Sequence, residues 1–285
     1  MLTPLHPVQY ERLLRDALAE DLGTAGDLTT DALVAPGARA DGALVARAPG
    51  RVAGIGIAAA TFTVLDPTVT ATVKVDDGAD VVAGTTLAIV EGPARALLSA
   101  ERVALNLLGR MCGVATATAA LVAATAGHRA RIAPTRKTTP GLRALERYAV
   151  RAGGGVDHRF GLGDGVLIKD NHIVVAGGIT PAVKRARDRV GHMVKVEVEV
   201  DTLDQLDEVI GLGVDAVLLD NMTPADLRAA VARVGGTMVT EASGGIDPTT
   251  VREVAATGVD LVSSGHPTHS APALDVALDW LPPSS

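Results

Sequence analysis

The sequence is poor in cysteine, in aromatic side chains and in net positive charge, and each shortage excludes something. With one cysteine, no internal disulfide can staple the chain. Cys112 sits in an apolar helical stretch with no basic motif to lower its thiol pKa, so it reads as a buried, inert thiol rather than a nucleophile. Aromatics are 2% of the residues and the net charge is −7, so stacking platforms and a global basic footprint for nucleic acid are both missing. Uninterrupted apolar runs of roughly 18 residues are absent, so a spanning helix is not expected and no membrane is implied as a partner. The start MLTPLHPVQYERLLRDALAEDLG lacks the basic end, apolar core and small-residue cleavage site of a signal peptide, which points to a cytoplasmic protein.

What is present is 285 residues, 47% of them hydrophobic, enough for a large domain and a smaller one. Val8 to Leu22 carries apolar residues at helical spacing, and EDLGTAGDLTTDAL then breaks it, giving one helix and a loop. From Gly42 to Gly92, short Val/Ala/Thr runs alternate with Pro-Gly, Asp-Asp-Gly and Ala-Gly turns and read as a small antiparallel β domain. The amphipathic stretch ARALLSAERVALNLLGRMCGVATATAALVAAT predicts one or two helices broken near Gly109 and Gly113, with the domain boundary inside it.

Beyond that point strand-like runs (RARIAP, GVLI, MVKVEVEV, AVLLD, TMVTEA, LVSS) alternate with helical patterns, of which GLRALERYAVRAG is the first. Thr-Pro at 180 and 223 and Asp-Pro at 247 mark helix starts. Repeated βα units imply a parallel sheet. A barrel, closed or incomplete, is favoured over a doubly wound sheet because of where the polar residues lie.

In a parallel barrel the C-terminal strand ends share one mouth. Here the strand ends carry Arg136-Lys137, Lys169-Asp170-Asn171-His172, Glu199, Asp220-Asn221, Glu241-Ala-Ser243-Gly244-Gly245 and Gly265. The period of two in the third strand puts Lys195, Glu197 and Glu199 on one side; Glu197 is open between an internal salt bridge and a ligand role, and Glu199 lies nearer the mouth. Arg136, Lys137, His158, Arg159 and Lys169 converge only if the barrel forms, and together make a pocket for carboxylates or phosphates. The Gly/Ser-rich loops at 243–246 and 263–270 suit a phosphate at backbone N–H groups. Glu199 and Asp220 can accept from ribose hydroxyls and hold Mg²⁺. Transfer of a phosphorylated sugar to a small anionic acid is the reaction class these parts suggest.

The segments EDLGTAGDLTT, SAERVALNLLGRMCGVATAT, TRKTTPGLRALERYAVRAGGGVDHRFGLGDGVLIKDNHI, VEVEVDTLDQL, VLLDNM, EASGGI and THS cover nearly the whole chain in order. Through them the sequence resembles the quinolinate phosphoribosyltransferases, also called carboxylating nicotinate-nucleotide pyrophosphorylases, of NAD biosynthesis. The resemblance implies an N-terminal α/β sandwich-like domain (residues 1–110, with the tail 271–285 packing back on it) and an incomplete TIM-like α/β barrel (111–270). It also implies a homodimer whose subunits share active sites. Quinolinate and phosphoribosyl pyrophosphate would give nicotinate mononucleotide, pyrophosphate and CO₂, with Mg²⁺.

Carried over by motif, Arg136, His158, Arg159 and Lys169 resemble the grip on quinolinate, joined by Arg102 of a second copy. Lys137 and Lys169 resemble phosphate contacts, and Glu199 and Asp220 the ribose and metal ligands, directly or through water. Lys169, Glu199 and Asp220 are also the residues expected to assist the chemistry. Ser243, Gly244, Gly245, Gly265 and His269 resemble the phosphate site. Three residues depart from the family pattern: Pro134 before TRKT, Asp157 before His-Arg, and Pro267 before Thr-His-Ser. Two rival readings stand beside this one. One is a phosphoribosyltransferase-like paralogue associated with molybdenum metabolism and a different acceptor. The other is a biotinyl- or lipoyl-like carrier, which Lys74 serves poorly because it lies inside a strand-like run rather than at a hairpin tip.

Overall fold

A computed structural model describes residues 2–281. After a 3-10 turn at Pro7–Gln9 comes α1 (Glu11–Leu22). The Asp27 carboxylate accepts from the Thr30 N–H at 2.9 Å and starts α2 (Leu28–Leu33), where the sequence reading had a plain loop. Then follow β1 (Arg39–Ala46), β2 (Gly50–Arg51), α3 (Ile55–Leu65), β3 (Thr70–Val73), β4 (Asp80–Val81) and β5 (Thr86–Pro93). The reading of Gly42 to Gly92 as purely β missed α3. That helix is apolar nearly all round, with Ile55, Ile57, Ala58, Ala59 and Phe62 buried, so it shows no polar face to mark its period.

α4 (Ala94–Ala124) is one continuous 31-residue helix, not a broken pair. Its glycines serve close approach instead. A Cβ at Gly113 would stand 2.1 Å from the Pro272 carbonyl oxygen, and one at Gly109 would stand 2.9 Å from that of Leu274. By length and composition α4 could cross a membrane. Its Leu97, Leu108, Met111 and Cys112 are, however, buried in the protein's own core clusters.

The rest comprises β6 (Arg131–Pro134), α5 (Arg143–Ala152), β7 (Val166–Ile168), α6 (Asp170–Ala176), α7 (Ile179–Arg189) and β8 (Val196–Val200). These are followed by α8 (Leu203–Val209), β9 (Ala216–Asp220), α9 (Pro224–Val234), β10 (Val239–Ser243), α10 (Val251–Ala255), β11 (Leu261–Ser264), α11 (His266–His269) and β12 (Val276–Trp280). Of the three helix starts read from proline, Thr223 caps α9 with Pro224 in its first turn. Thr180 instead lies inside α7, bonded to Glu208, because the helix already begins at Ile179. Asp247 closes a turn onto Thr249 and Thr250, and α10 starts only at Val251.

The chain divides into two compact units, one made of residues 1–119, 138–154 and 270–285, the other of 120–137 and 155–269. In the first, β12, β1, β5 and β3 form an antiparallel sheet in that order, over a core of Leu44, Phe62, Leu87, Leu97 and Leu108. The strand β12 comes from the expected C-terminal tail, of which residues 282–285 lie outside the described chain. Helix α5, read from sequence as one of the barrel's connecting helices, belongs to this unit. Its Leu145, Tyr148 and Ala149 pack with Leu14, Ile57 and Met111, and the Tyr148 hydroxyl donates to Asp77 at 2.5 Å. The buried Glu146 carboxylate accepts from Arg110 and from the Thr139 N–H and hydroxyl, fixing the segment that follows Lys137.

In the second unit six parallel strands lie in the order β6-β11-β10-β9-β8-β7, and the first and last strands are not paired, so the barrel is incomplete. Side-chain alternation decides everything here. Ile132, Ile168, Val196, Val198, Val200, Val217, Leu219, Ala242 and Val262 face one way, into an apolar cluster with Val183, Leu206, Leu227, Ala230 and Val251 of the helices. The alternate positions, Leu167, Glu197, Glu199, Leu218, Asp220, Glu241, Ser243 and Ser263, face the other way and are mostly polar. A polar inner face of that kind is costly unless it is paired or holds a ligand.

Candidate active site

The inner face opens into a cavity of about 770 Å³. Its lining includes Arg136, Lys137, His158, Arg159, Lys169, Glu199, Asp220, Ser243, Gly244, Gly245, Gly265 and His269. Every site residue expected from the sequence in this unit is therefore at one place. Arg102 is on α4 in the other unit, with its side chain 66% exposed and 4.0 Å from Glu101. Lys195 does not join Glu197 and Glu199. It precedes β8, is 81% exposed, and its ammonium pairs with Asp215 at 2.6 Å.

The cations are carried by the segments after β6 and β7 and by the 155–165 stretch, which has no helix or strand. Arg159 is pulled below its ordinary pKa by burial and then by the nearby Arg136 guanidinium. It keeps its charge, since guanidinium does not deprotonate in proteins. Two crowded guanidiniums call for an anion between them. Lys169 makes an ion pair with Glu199, and α6 begins directly at Asp170, so the ammonium stands at a helix start rather than on a loose loop.

The phosphate-type loops have specific reasons for their glycines. Gly244 has φ +96°, and a Cβ there would stand 2.2 Å from Asn221 Oδ1. Asn221 itself has φ +53°; its N–H donates to the Ser243 carbonyl at 3.0 Å and its amide donates to Asp220 at 2.6 Å. The loop after β10 thus sets the Asp220 carboxylate. A Cβ on Gly265 would meet the His269 ring at 2.8 Å and Lys137 Cδ at 3.1 Å, which shows how closely these groups surround it. The Thr268 hydroxyl donates to the Lys137 carbonyl at 2.8 Å and ties α11 to the loop after β6.

Deeper in, His158 Nε2 lies 3.0 Å from Glu241 and 3.6 Å from Glu197, while the Arg159 N–H donates to Nδ1 at 2.8 Å. Glu197 and Glu241 pull the imidazole pKa upward against the opposing effect of burial. The N–H aimed at Nδ1 works against a second proton, and in either form the Nε2 proton faces the carboxylates. Burial also pushes the Glu197 pKa up. Ser263 Oγ is buried with no partner among the described residues. Cys112, as expected, is buried, and burial pushes its thiol up to about 12.

Residues 114–279 match the family model described as quinolinate phosphoribosyl transferase, C-terminal domain, and residues 27–112 match the N-terminal domain of the same enzyme. The chain belongs to the quinolinate phosphoribosyltransferase family. Among its relatives, the probable nicotinate-nucleotide pyrophosphorylase [carboxylating] of Bacillus subtilis is 43% identical, over 96% of this chain and 94% of that one. The Mycobacterium leprae nicotinate-nucleotide pyrophosphorylase [carboxylating] is also 43% identical, over 93% of this chain and 95% of its own length. The crystal structure of NadC from Streptococcus pyogenes has a TM-score of 0.94 at 39% identity and covers 98% of this chain and 100% of that one.

Two of the departures from the quinolinate phosphoribosyltransferase pattern have a structural account. Pro134 ends β6, an edge strand of the sheet, where a missing N–H is tolerated. Pro267 lies in the first turn of α11, where its N–H would have no helical acceptor anyway. Nothing in the structure explains Asp157. Sequence reasoning named Glu241 at a strand end but gave it no role. Its signal was an acid in the middle of the strand-like run VTEAS, two residues before Ser243 and so on the same face of the strand.

Proposed function

We propose that this chain joins quinolinate to phosphoribosyl pyrophosphate, releasing pyrophosphate and CO₂ and forming nicotinate mononucleotide. The observation that carries the reading is the convergence of Arg136, Lys137, Arg159 and Lys169 with Glu199 and Asp220 on one cavity. Quinolinate is a dianion, and two adjacent guanidiniums plus an ammonium match two carboxylates in number and in fork geometry. His158 stands beside them. The loop at 243–245 and Gly265 offer backbone N–H groups, and His269 its ring, to the phosphates.

Glu199 and Asp220 are hard oxygen donors at the ends of the adjacent strands β8 and β9, a donor set that fits Mg²⁺, directly or through water. When bound, that ion supplies counter-charge for pyrophosphate. The protein's part is orientation and charge balance. The ring nitrogen forms its bond to the anomeric carbon as the bond to pyrophosphate breaks. The 2-carboxylate then leaves as CO₂, its electron pair staying on C2 beside the cationic nitrogen until a proton arrives. The same reading includes a homodimer in which Arg102 reaches the site of a second copy.

The test is to mix protein, quinolinate, phosphoribosyl pyrophosphate and Mg²⁺ and measure CO₂ release. We expect release that depends on all of them. Absent quinolinate turnover, or equal use of nicotinate, assigns the cavity to another acceptor. Arg136→Ala removes a charge-assisted partner and should raise the quinolinate KM about 10- to 150-fold, equivalent to about 1.5–3 kcal/mol.

A further inference from the structure

The imidazole of His158 has both of its nitrogens engaged by the protein. Nδ1 accepts the Arg159 N–H at 2.8 Å, so in this arrangement the proton is on Nε2, which faces Glu241 at 3.0 Å and Glu197 at 3.6 Å. The two glutamates belong to β10 and β8, whereas His158 and Arg159 lie in the irregular 155–165 segment. The ring therefore acts as a strut between the rigid sheet and the backbone of Arg159. Glu241 has 2% of its side chain exposed and Glu197 has 12%, and both carboxylates are turned to the imidazole, which stands between them and Arg159.

We infer that Glu241 and Glu197 are positioning residues that act through His158 to fix Arg159 at the cavity wall, and that His158 serves the site as this strut rather than as a direct grip on the acid. This deepens the quinolinate reading and rests on it. A guanidinium on an irregular segment recognises a carboxylate well only if its backbone is held, since a misplacement of about 1 Å can cost on the order of 10²-fold in rate. Side-chain hydrogen bonds from strand to loop supply that hold, and a satisfied buried network specifies one geometry.

The three residues offer ligand atoms within 4.8 Å of one another, which raises the alternative of a metal centre. A cation there needs a bare Nε2. The Arg159 N–H on Nδ1 leaves the proton on Nε2, which fits a hydrogen-bonded strut and not a ligand.

A double-mutant cycle separates strut from grip. Quinolinate KM and kcat are measured for the wild type, His158→Ala, Arg159→Ala and the double variant, with the quinolinate Kd in place of KM where turnover is lost. A strut predicts that His158→Ala raises the quinolinate KM at least tenfold with little change in the KM for phosphoribosyl pyrophosphate. It also predicts that the double variant is no worse than Arg159→Ala alone. Effects that multiply mean that His158 meets the substrate itself and overturn the inference. Glu241→Gln and Glu241→Ala extend the cycle. The amide oxygen of Gln can still accept from Nε2, so Gln should recover most of what Ala loses, and both should be silent when His158 is Ala. Equal losses in Gln and Ala, or losses that persist without His158, also overturn it. Urea midpoints of each variant exclude unfolding as the cause. Wild-type protein that does not turn over quinolinate condemns the reading of the cavity, whereas normal turnover with multiplying effects condemns only the strut.

Discussion

Lys169 and Glu199 form an ion pair between neighbouring strand ends, since β7 and β8 pair Ile168 with Val198 and the next residue on each carries the charge. The two partners are unequally placed: the glutamate side chain is 9% exposed and the lysine 44%. Removing the lysine strands a nearly buried carboxylate, while replacing Glu199 by Gln leaves a neutral acceptor in the same place.

Lys169→Ala should therefore lower the unfolding free energy by about 1–3 kcal/mol and also abolish most turnover. Glu199→Gln should keep the melting temperature within a few degrees of the wild type yet depress kcat/KM for phosphoribosyl pyrophosphate, because a carboxylate is lost where the ribose and metal ligands are proposed. Thermal unfolding and steady-state kinetics on both variants check this. A Lys169→Ala protein as stable and active as the wild type excludes the pair from both roles.

The two glycine positions Gly113 and Gly56 make opposite predictions. Gly113 lies in α4 with the Pro272 carbonyl oxygen 2.1 Å from where its Cβ would be, so Gly113→Ala forces backbone apart. It should cost about 1–3 kcal/mol or more. Gly56 is in α3, is exposed and has nothing within 4 Å of the same position. There the helix propensity of alanine acts unopposed, and Gly56→Ala should gain about 0.4–1 kcal/mol. Urea unfolding of the two variants side by side decides it, and a neutral Gly113→Ala would show that the approach relaxes without cost.

These glycines also show where sequence reading stops. The strands of the barrel were legible because VEVEV carries its period of two on the page and AVLLD is an apolar run closed by an acid, and the cationic cavity was legible because the C-terminal strand ends of such a sheet share one mouth. A glycine in a helical pattern, by contrast, reads as a breaker, and only the tertiary neighbour Pro272 reveals that it permits contact without ending the helix. α3 escaped because an all-apolar segment has no face to show. The link from His158 to Glu241 spans 83 positions in the chain, and no local pattern announces such a pairing.

Asp215 supplies a pH test at the opposite end of the sheet from the cavity. Burial alone raises its pKa, but the Lys195 ammonium, the Val196 N–H and the Arg187 guanidinium outweigh burial and hold it at about 2. A carboxyl depressed in the folded state contributes stability above its unfolded pKa of roughly 3.9, and that contribution is lost as pH falls towards 2. The Lys195 side chain is 81% exposed, so screening trims the gain to about 1 kcal/mol. Asp215→Asn should therefore destabilise the protein by about that amount at pH 7. Because the Asn amide carries no charge, the gap between variant and wild type should narrow steadily between pH 5 and pH 3, and it should also shrink in high salt. Urea unfolding of both proteins across that range is the measurement. A gap that stays constant with pH would mean that the carboxylate acts through shape and neutral hydrogen bonding alone, with no share from its charge.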